Sequence, residues 1–262
     1  MRLLPVILLS LALTACGGGG GGDGDSPPAS QSPPPPANQS VGGIWEGTDS
    51  DGDAIIGLVT ETGAFHFLDP DGQGFGTATV SNGSQVAASY TYVADLGTTF
   101  VDGSTGATCT LTGTVVERVS LSVNSQCTTT RGTTGQNSAT LAFNALYNRD
   151  ASLATIAGNY NDVGDVLNIN SGGVVFEQDA SEGCIHNGQV TVVNAAYNAY
   201  QVQFTVSNCN ASYAALNGTS WTGLATLDNT TSPQELIFGV VGNVTISGAM
   251  GTFSLVGVAP RI

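Results

Sequence analysis

The chain has 262 residues, 41% of them hydrophobic and only 10% charged, and twenty acidic residues against five arginines and no lysine give a formal net charge of −15. A surface this acidic repels phosphate backbones and anionic lipid head groups, and no basic stripe offers an exception, which argues against nucleic acid as a partner. The lack of lysine also excludes lysine-centred catalysis. The first element is an Arg2-led apolar run from Leu3 to Leu13, interrupted by Pro5 and Ser10. It is too short to span a bilayer and suits the core of a signal peptide.

The run ends in Leu13-Thr14-Ala15-Cys16, directly before Gly17 to Gly22. Small residues leading to a cysteine make this segment resemble the lipobox of bacterial lipoprotein precursors. The resemblance implies cleavage before Cys16 and acylation of its sulfur and its new amine, palmitate among the acyl groups. Several acyl chains at about 0.8 kcal/mol per buried methylene would anchor the protein permanently. In that family an aspartate after the cysteine retains the product at the inner membrane. Gly17 stands there, so the resemblance implies the outer membrane of a bacterial cell envelope, facing either the periplasm or the exterior. The next residues, Asp23-Gly24-Asp25, Ser26-Pro27-Pro28 and Pro33 to Pro36, have no hydrophobic pattern. A glycine coil in series with a polyproline spacer forms a tether over 16–40 after a signal peptide over 1–15.

Beyond the tether roughly 220 residues can fold, enough for one large or two small domains. Period-two alternation recurs throughout, and no 3.6-residue apolar period persists for three turns. Val86, Ala88, Tyr90 and Tyr92 alternate with polar or small residues after the turn Ser81-Asn82-Gly83-Ser84, and Tyr200, Val202, Phe204 and Val206 alternate with Gln201, Gln203, Thr205 and Ser207. Further strands are expected over 54–59, 65–68, 140–146, 166–169, 174–177, 221–227, 236–241, 244–247 and 253–256. The fold class is therefore all-β: a dozen or more strands in an antiparallel meander, forming barrel or sandwich lobes over 41–150 and 151–262.

The two lobes begin alike. Gly43-Ile44-Trp45 precedes an Asp-rich turn and a hairpin to Phe65-His66-Phe67, as Gly158-Asn159-Tyr160 precedes Asp162 to Asp165 and a hairpin to Val174-Val175-Phe176. Each lobe then carries Cys-x-x-x-Gly-x-Val, at Cys109 and at Cys184. The order suggests duplication, although the spacing between hairpin and cysteine differs.

Cys109 and Cys127 lie symmetrically about Arg118, and Cys184 and Cys209 about Ala196-Tyr197. A hairpin folded at each point sets partners opposite one another, so the expected disulfides are Cys109–Cys127 and Cys184–Cys209. Loops of this size give roughly 3 kcal/mol each in the chain-entropy model. The periplasm or cell surface permits them. A four-cysteine metal site would lack any Cys-x-x-Cys pair.

Chemistry is sparse. Neither histidine, His66 or His186, accompanies a Gly-x-Ser-x-Gly elbow, and strand alternation turns His66 away from Phe65 and Phe67. Glu46, Glu61, Glu177 and Asp179 could supply a glycosidase pair only by converging in space. The loop Asp49-Ser50-Asp51-Gly52-Asp53 could aim several oxygens at calcium, but its glycine falls at the fourth position and Thr60 occupies the twelfth, unlike an EF-hand. Turn duty accounts for Asp49, Asp51 and Asp53, as it does for Asp69-Pro70-Asp71-Gly72. No catalytic residue, metal site or cofactor is assigned.

Gly43-Ile44-Trp45 resembles the Gly-x-Trp that opens lipocalin barrels, where the tryptophan closes one end of a ligand cavity. The whole layout also resembles surface lipoproteins whose β-barrel lobes, on a Gly-rich tether, bind host proteins. The leading expectation is a non-enzymatic outer-membrane lipoprotein with a binding or envelope-structural role and a protein or small-molecule partner. The alternative is a lipocalin-like carrier of a small apolar ligand, with an envelope hydrolase third. An apolar cavity would favour the carrier, an exposed apolar patch the adhesin-like role, and converging carboxylates the hydrolase.

Overall fold

The computed structural model describes residues 37–246 and 248–262. Cys16, the signal segment and the tether before residue 37 lie outside the described residues. Eight strands come first: β1 (Gly43–Asp49), β2 (Ala54–Val59), β3 (Ala64–Asp69), β4 (Gly72–Ser81), β5 (Gln85–Ala94), β6 (Gly106–Val116), β7 (Ser120–Thr129) and β8 (Thr134–Asn144). Each pairs antiparallel with the next, and β1 pairs with β8 from Ile44↔Asn144 to Asp49↔Ala139, closing a barrel. Strand β6 shows why the chain folds this way. Ala107, Cys109, Leu111 and Val115 are buried while Thr108, Thr110, Thr112 and Thr114 are exposed, so one face is apolar and the other carries β-branched polar residues.

A 3-10 turn (Ala145–Asn148) and a single helical turn α1 (Leu153–Ile156) lead to the second lobe. Its strands are β9 (Gly158–Asp162), β10 (Asp165–Ile169), β11 (Val174–Gln178), β12 (Ile185–Val192), β13 (Tyr200–Ser207), β14 (Ser220–Asp228), β15 (Glu235–Ile246) and β16 (Ala249–Pro260). They form a curled antiparallel half-barrel in sequential order. The edges meet only at the end of β16, through the bridge Tyr160↔Arg261 and the Ile262 N–H donated to Asn159 O at 2.9 Å. Of the stretches 236–241 and 244–247, expected as two strands, residues 236–241 and 244–246 lie in one twelve-residue strand, because Gly242 pairs normally with both Trp221 and Phe253, while residue 247 lies outside the described residues. The strand expected over 140–146 stops at Asn144, whose side chain caps the 3-10 turn.

The two lobes share a buried interface. Ile44 and Leu58 on the outer face of the barrel pack with Tyr147, Ala199 and Leu224. Gln73, fully buried, donates to Val240 O at 2.8 Å and shares a 2.8 Å hydrogen bond with His66 Nδ1. His66 is thus a packed interface residue, with burial depressing its pKa.

Asn38 and Ser40, expected in the last part of the tether over 16–40, are hydrogen-bonded to the barrel. Asn38 donates to Val80 O at 2.8 Å and accepts from Gly83 N–H at 3.0 Å, and Ser40 bonds Glu61 and Glu117. These partners sit in the β2–β3, β4–β5 and β6–β7 connections, so the chain enters at one defined end of the barrel.

The suspected duplication appears as eight meander strands in each lobe and as a shared first-strand anchor. Trp45 Nε1 donates to Val41 O at 2.9 Å, and the Tyr160 hydroxyl donates to Ile156 O, in each case four residues back. The cysteine hairpins do not correspond. Cys109 and Cys127 face each other across β6 and β7, the sixth and seventh barrel strands, whereas Cys184 and Cys209 flank the fourth and fifth strands of the second lobe.

Candidate ligand-binding site

Strand direction gives the barrel two unlike ends. At one end the connections are β2–β3, β4–β5 and β6–β7. This end is filled by Trp45, Val59, Phe65, Val115, Leu121 and Phe143, with Trp45 fully buried and edge-on to Phe143 at 5.5 Å. Arg118, at positive φ in the β6–β7 turn, lies over the rings of Phe143, Tyr147 and Tyr197 at 4.8–5.2 Å and pairs with Glu61 at 2.8 Å. The cation and its aromatic partners seal that end.

The other end is hollow. A cavity of about 380 Å³ opens between the β1–β2, β3–β4, β5–β6 and β7–β8 loops. Its deeper wall is apolar: Ile55, Phe67, Leu111, Val123, Ala139 and Leu141. Glycine makes the room. A Cβ at Gly57 would run into the ring of its cross-strand partner Phe67, and one at Gly74 into the ring of Tyr90, which is diagonal to it across β4 and β5, so these glycines let the rings lie along the wall instead of crossing the lumen. The Cys109–Cys127 bond joins directly opposed residues of β6 and β7, and Cys127 lines the cavity.

The rim is acidic. Asp49, Asp51 and Asp53 come from β1–β2, Asp69 and Asp71 from β3–β4, and Asp102 from β5–β6. Asp49 is committed to its turn: Oδ1 accepts from the Asp51 and Asp53 N–H groups at 2.9 Å each, while Oδ2 accepts from Asn137. Burial pushes its pKa up, but these bonds outweigh it and the net shift is downward. No group of three or more metal-ligating side chains is found among the described residues. Asp102 accepts from the Ser104 and Thr129 hydroxyls, which hold its carboxyl well below the usual range.

Asp69 behaves differently. Burial pushes its carboxyl up to about 6 against the opposing effect of a 2.6 Å bond from the Tyr92 hydroxyl, and the nearby Asp71 charge adds to the rise. The Tyr92 ring stacks on Phe100 at 5.3 Å with planes 16° apart, placing two aromatic faces beside that carboxylate at the mouth.

The remaining expected candidates do not converge. Glu46 accepts from Asn144 on the barrel wall, Glu61 belongs to the sealed end, and Asp179 caps the 179–182 turn. Glu177 and His186 meet on the concave face of the second lobe, Nδ1 to Oε2 at 2.9 Å, with His186 edge-on to Phe204. Burial, then the Glu177 charge, raises nearby Asp162 to about 6. Cys184–Cys209 ties the loops beside this cluster.

Sequence reasoning missed Phe67, Tyr90, Tyr92, Phe100 and Asp69 as a site. For the three strand aromatics the signal was their place opposite glycines, in the registers Gly57↔Phe67, Gly76↔Tyr90 and Gly74↔Tyr92, whereas Phe100 in the β5–β6 loop and Asp69 at the end of β3 carried none. The chain matches no protein-family model and no curated protein.

Proposed function

We propose that this protein is a lipid-anchored, non-enzymatic carrier or scavenger that holds a small, largely apolar molecule in the hollow half of its barrel. The observation that carries the reading is the apolar cavity of about 380 Å³, open at one end of a closed eight-stranded barrel whose other end is sealed around Trp45. Its size lies within the usual range for small-molecule pockets, roughly 300–1,000 Å³. The arrangement has the features that the Gly43-Ile44-Trp45 resemblance to lipocalins implies, and it moves the reading from a general binding or structural role to the carrier. The chain enters the barrel at the sealed end, which leaves the mouth unobstructed by the segment from residue 38. The anchor and the outer-membrane address rest on the Leu13-Thr14-Ala15-Cys16 context and on Gly17.

Binding is tested with a fluorescent apolar probe titrated into the protein and into Ala139→Phe, which fills the cavity from β8. The proposal expects saturable binding by the wild type and its loss in the variant with an unchanged circular dichroism spectrum. Equal binding by both would overturn the calyx. The anchor is tested separately by fatty-acid labelling: Cys16→Ser should abolish incorporation and release the protein from membranes, and a labelled Ser variant would refute it. Recovery of the wild type mainly in inner-membrane fractions would refute the outer-membrane address.

A further inference from the structure

We infer that the ligand of the calyx is a cationic amphiphile, its apolar tail in the barrel and an ammonium-type head at the Tyr92–Phe100–Asp69 corner of the mouth. The inference rests on the calyx reading and adds the chemical class of what enters it.

Three observations carry it. First, the rim carries six carboxylates, Asp49, Asp51, Asp53, Asp69, Asp71 and Asp102, against one nearby guanidinium. That group, of Arg131 in the β7–β8 turn, lies against Gly103 and is in no ion pair among the described residues. The two ion pairs among the described residues, Arg118–Glu61 and His186–Glu177, lie at the sealed end of the barrel and in the second lobe, and no basic side chain lines the cavity. Second, the polar contacts of Asp69 are one-sided. Tyr92 OH and the N–H groups of Asp71 and Gly72 all donate to Oδ1, at 2.6, 2.9 and 3.1 Å, and Oδ2 receives none of them. A partly buried carboxylate whose second oxygen makes no protein hydrogen bond at the cavity mouth is open to a cation. Third, Tyr92 and Phe100 stack in the same corner, and aromatic faces attract ammonium groups through the ring quadrupole. Aromatic faces joined to a carboxylate recognise an alkylammonium head. An uncharged head would gain little from that pairing, and a carboxylate or phosphate head would meet like charge across the rim. The apolar wall from Phe67 to Leu141 takes the tail.

The test is calorimetric titration of the full chain with three ten-carbon probes that differ only in the head: decyltrimethylammonium, decanol and decanoate. The ammonium probe should bind roughly tenfold tighter than decanol, with decanoate weakest. Added salt should weaken the ammonium probe selectively. Asp69→Asn, which keeps an oxygen to accept from Tyr92, should bring the ammonium probe close to decanol without changing decanol binding, and Phe100→Leu should do part of the same. If decanol or decanoate binds as tightly as the ammonium probe, the cationic class is wrong while the calyx stands. If none of the three binds, the calyx reading itself fails and the head-group inference with it. Unchanged selectivity in both Asp69→Asn and Phe100→Leu would remove the assigned corner.

Discussion

The two lobes have the same strand count, the same meander order and the same first-strand anchor, yet one is hollow and the other is filled. Closure depends on strand length. In the barrel, β1 and β8 run alongside each other for six paired residues, whereas in the second lobe five-residue β9 must meet twelve-residue β16 and bonds only at its end. A sheet closes only when strand number, tilt and stagger agree, and short β9, β10 and β11 beside long β15 and β16 cannot supply that agreement. Filling depends on side-chain size. The inner face of the second lobe is packed with Tyr160, Tyr200, Trp221, Leu227 and Phe253, and Ile156 of α1 and Leu216 of the second 3-10 turn (Ala211–Leu216) add to it. The upper barrel offers glycines and rings laid flat along the wall. One strand order thus gives a filled lobe and a hollow one.

This comparison breaks most sharply by truncation. Trp221→Ala in the filled lobe should cost about 3–5 kcal/mol of unfolding free energy in urea titrations. Phe67→Ala, at the cavity wall, should cost about half of that or less, because one side of the ring already lacks packed neighbours. Equal losses would mean that the upper barrel is as tightly packed as the second lobe.

Removing either disulfide comes next. The bonds close separations of 18 and 25 residues, so the double serine variants at Cys109/Cys127 and at Cys184/Cys209 should each lose about 3 kcal/mol. The second pair should matter at least as much, because its hairpin lies in the lobe that closure does not support. Denaturation midpoints of the two variants check this order.

A smaller effect is the response to pH. Asp69 in the barrel and Asp162 in the second lobe are both raised from 3.8 to about 6 in the folded protein. The folded state therefore binds these protons more tightly than the unfolded state, and stability rises as pH falls from 7 through 6, levelling near 3.8. The gain is opposed in part by His66, whose pKa is lowered from 6.5 so that acid favours the unfolded chain there, and below 3.8 by Asp49 and Asp179, whose lowered pKa values stabilise only while they are ionised. Thermal melts should peak between pH 4 and 6, the window between the unfolded and folded pKa values of these two carboxyls. Asp69→Asn and Asp162→Asn should each flatten the neutral limb by about 1 kcal/mol after allowance for solvent screening. A melting temperature that falls steadily from pH 7 to 5 would contradict the sign.

The smallest effect concerns the acidic turn. Asp51→Ala should shift stability by no more than about 0.5 kcal/mol, because its side chain is exposed and Asp49 holds the turn. Calcium should bind no tighter than roughly millimolar, and chelator should leave Tm unchanged. Micromolar affinity abolished by Asp51→Ala would make the rim a metal site.

The all-β class, both disulfide pairings and the turns at Asp49–Asp53 and Arg118 were legible in the chain, since alternation, turn chemistry and hairpin symmetry are local properties that neighbouring residues express without distant partners. For closure and the hollow, only the three-residue Gly43-Ile44-Trp45 resemblance pointed to a sealed cavity. They were not legible in local pattern, because they depend on strands nearly one hundred residues apart, as in Trp45↔Phe143, and on relative strand lengths. The same limit hid the binding corner. Asp69 and Tyr92 read as an ordinary turn residue and an ordinary strand residue, and only folding brings carboxylate, hydroxyl and the Phe100 ring together. Local pattern determined what each segment would be. The tertiary structure alone decided which inward faces meet, and therefore where the molecule is full and where it is empty.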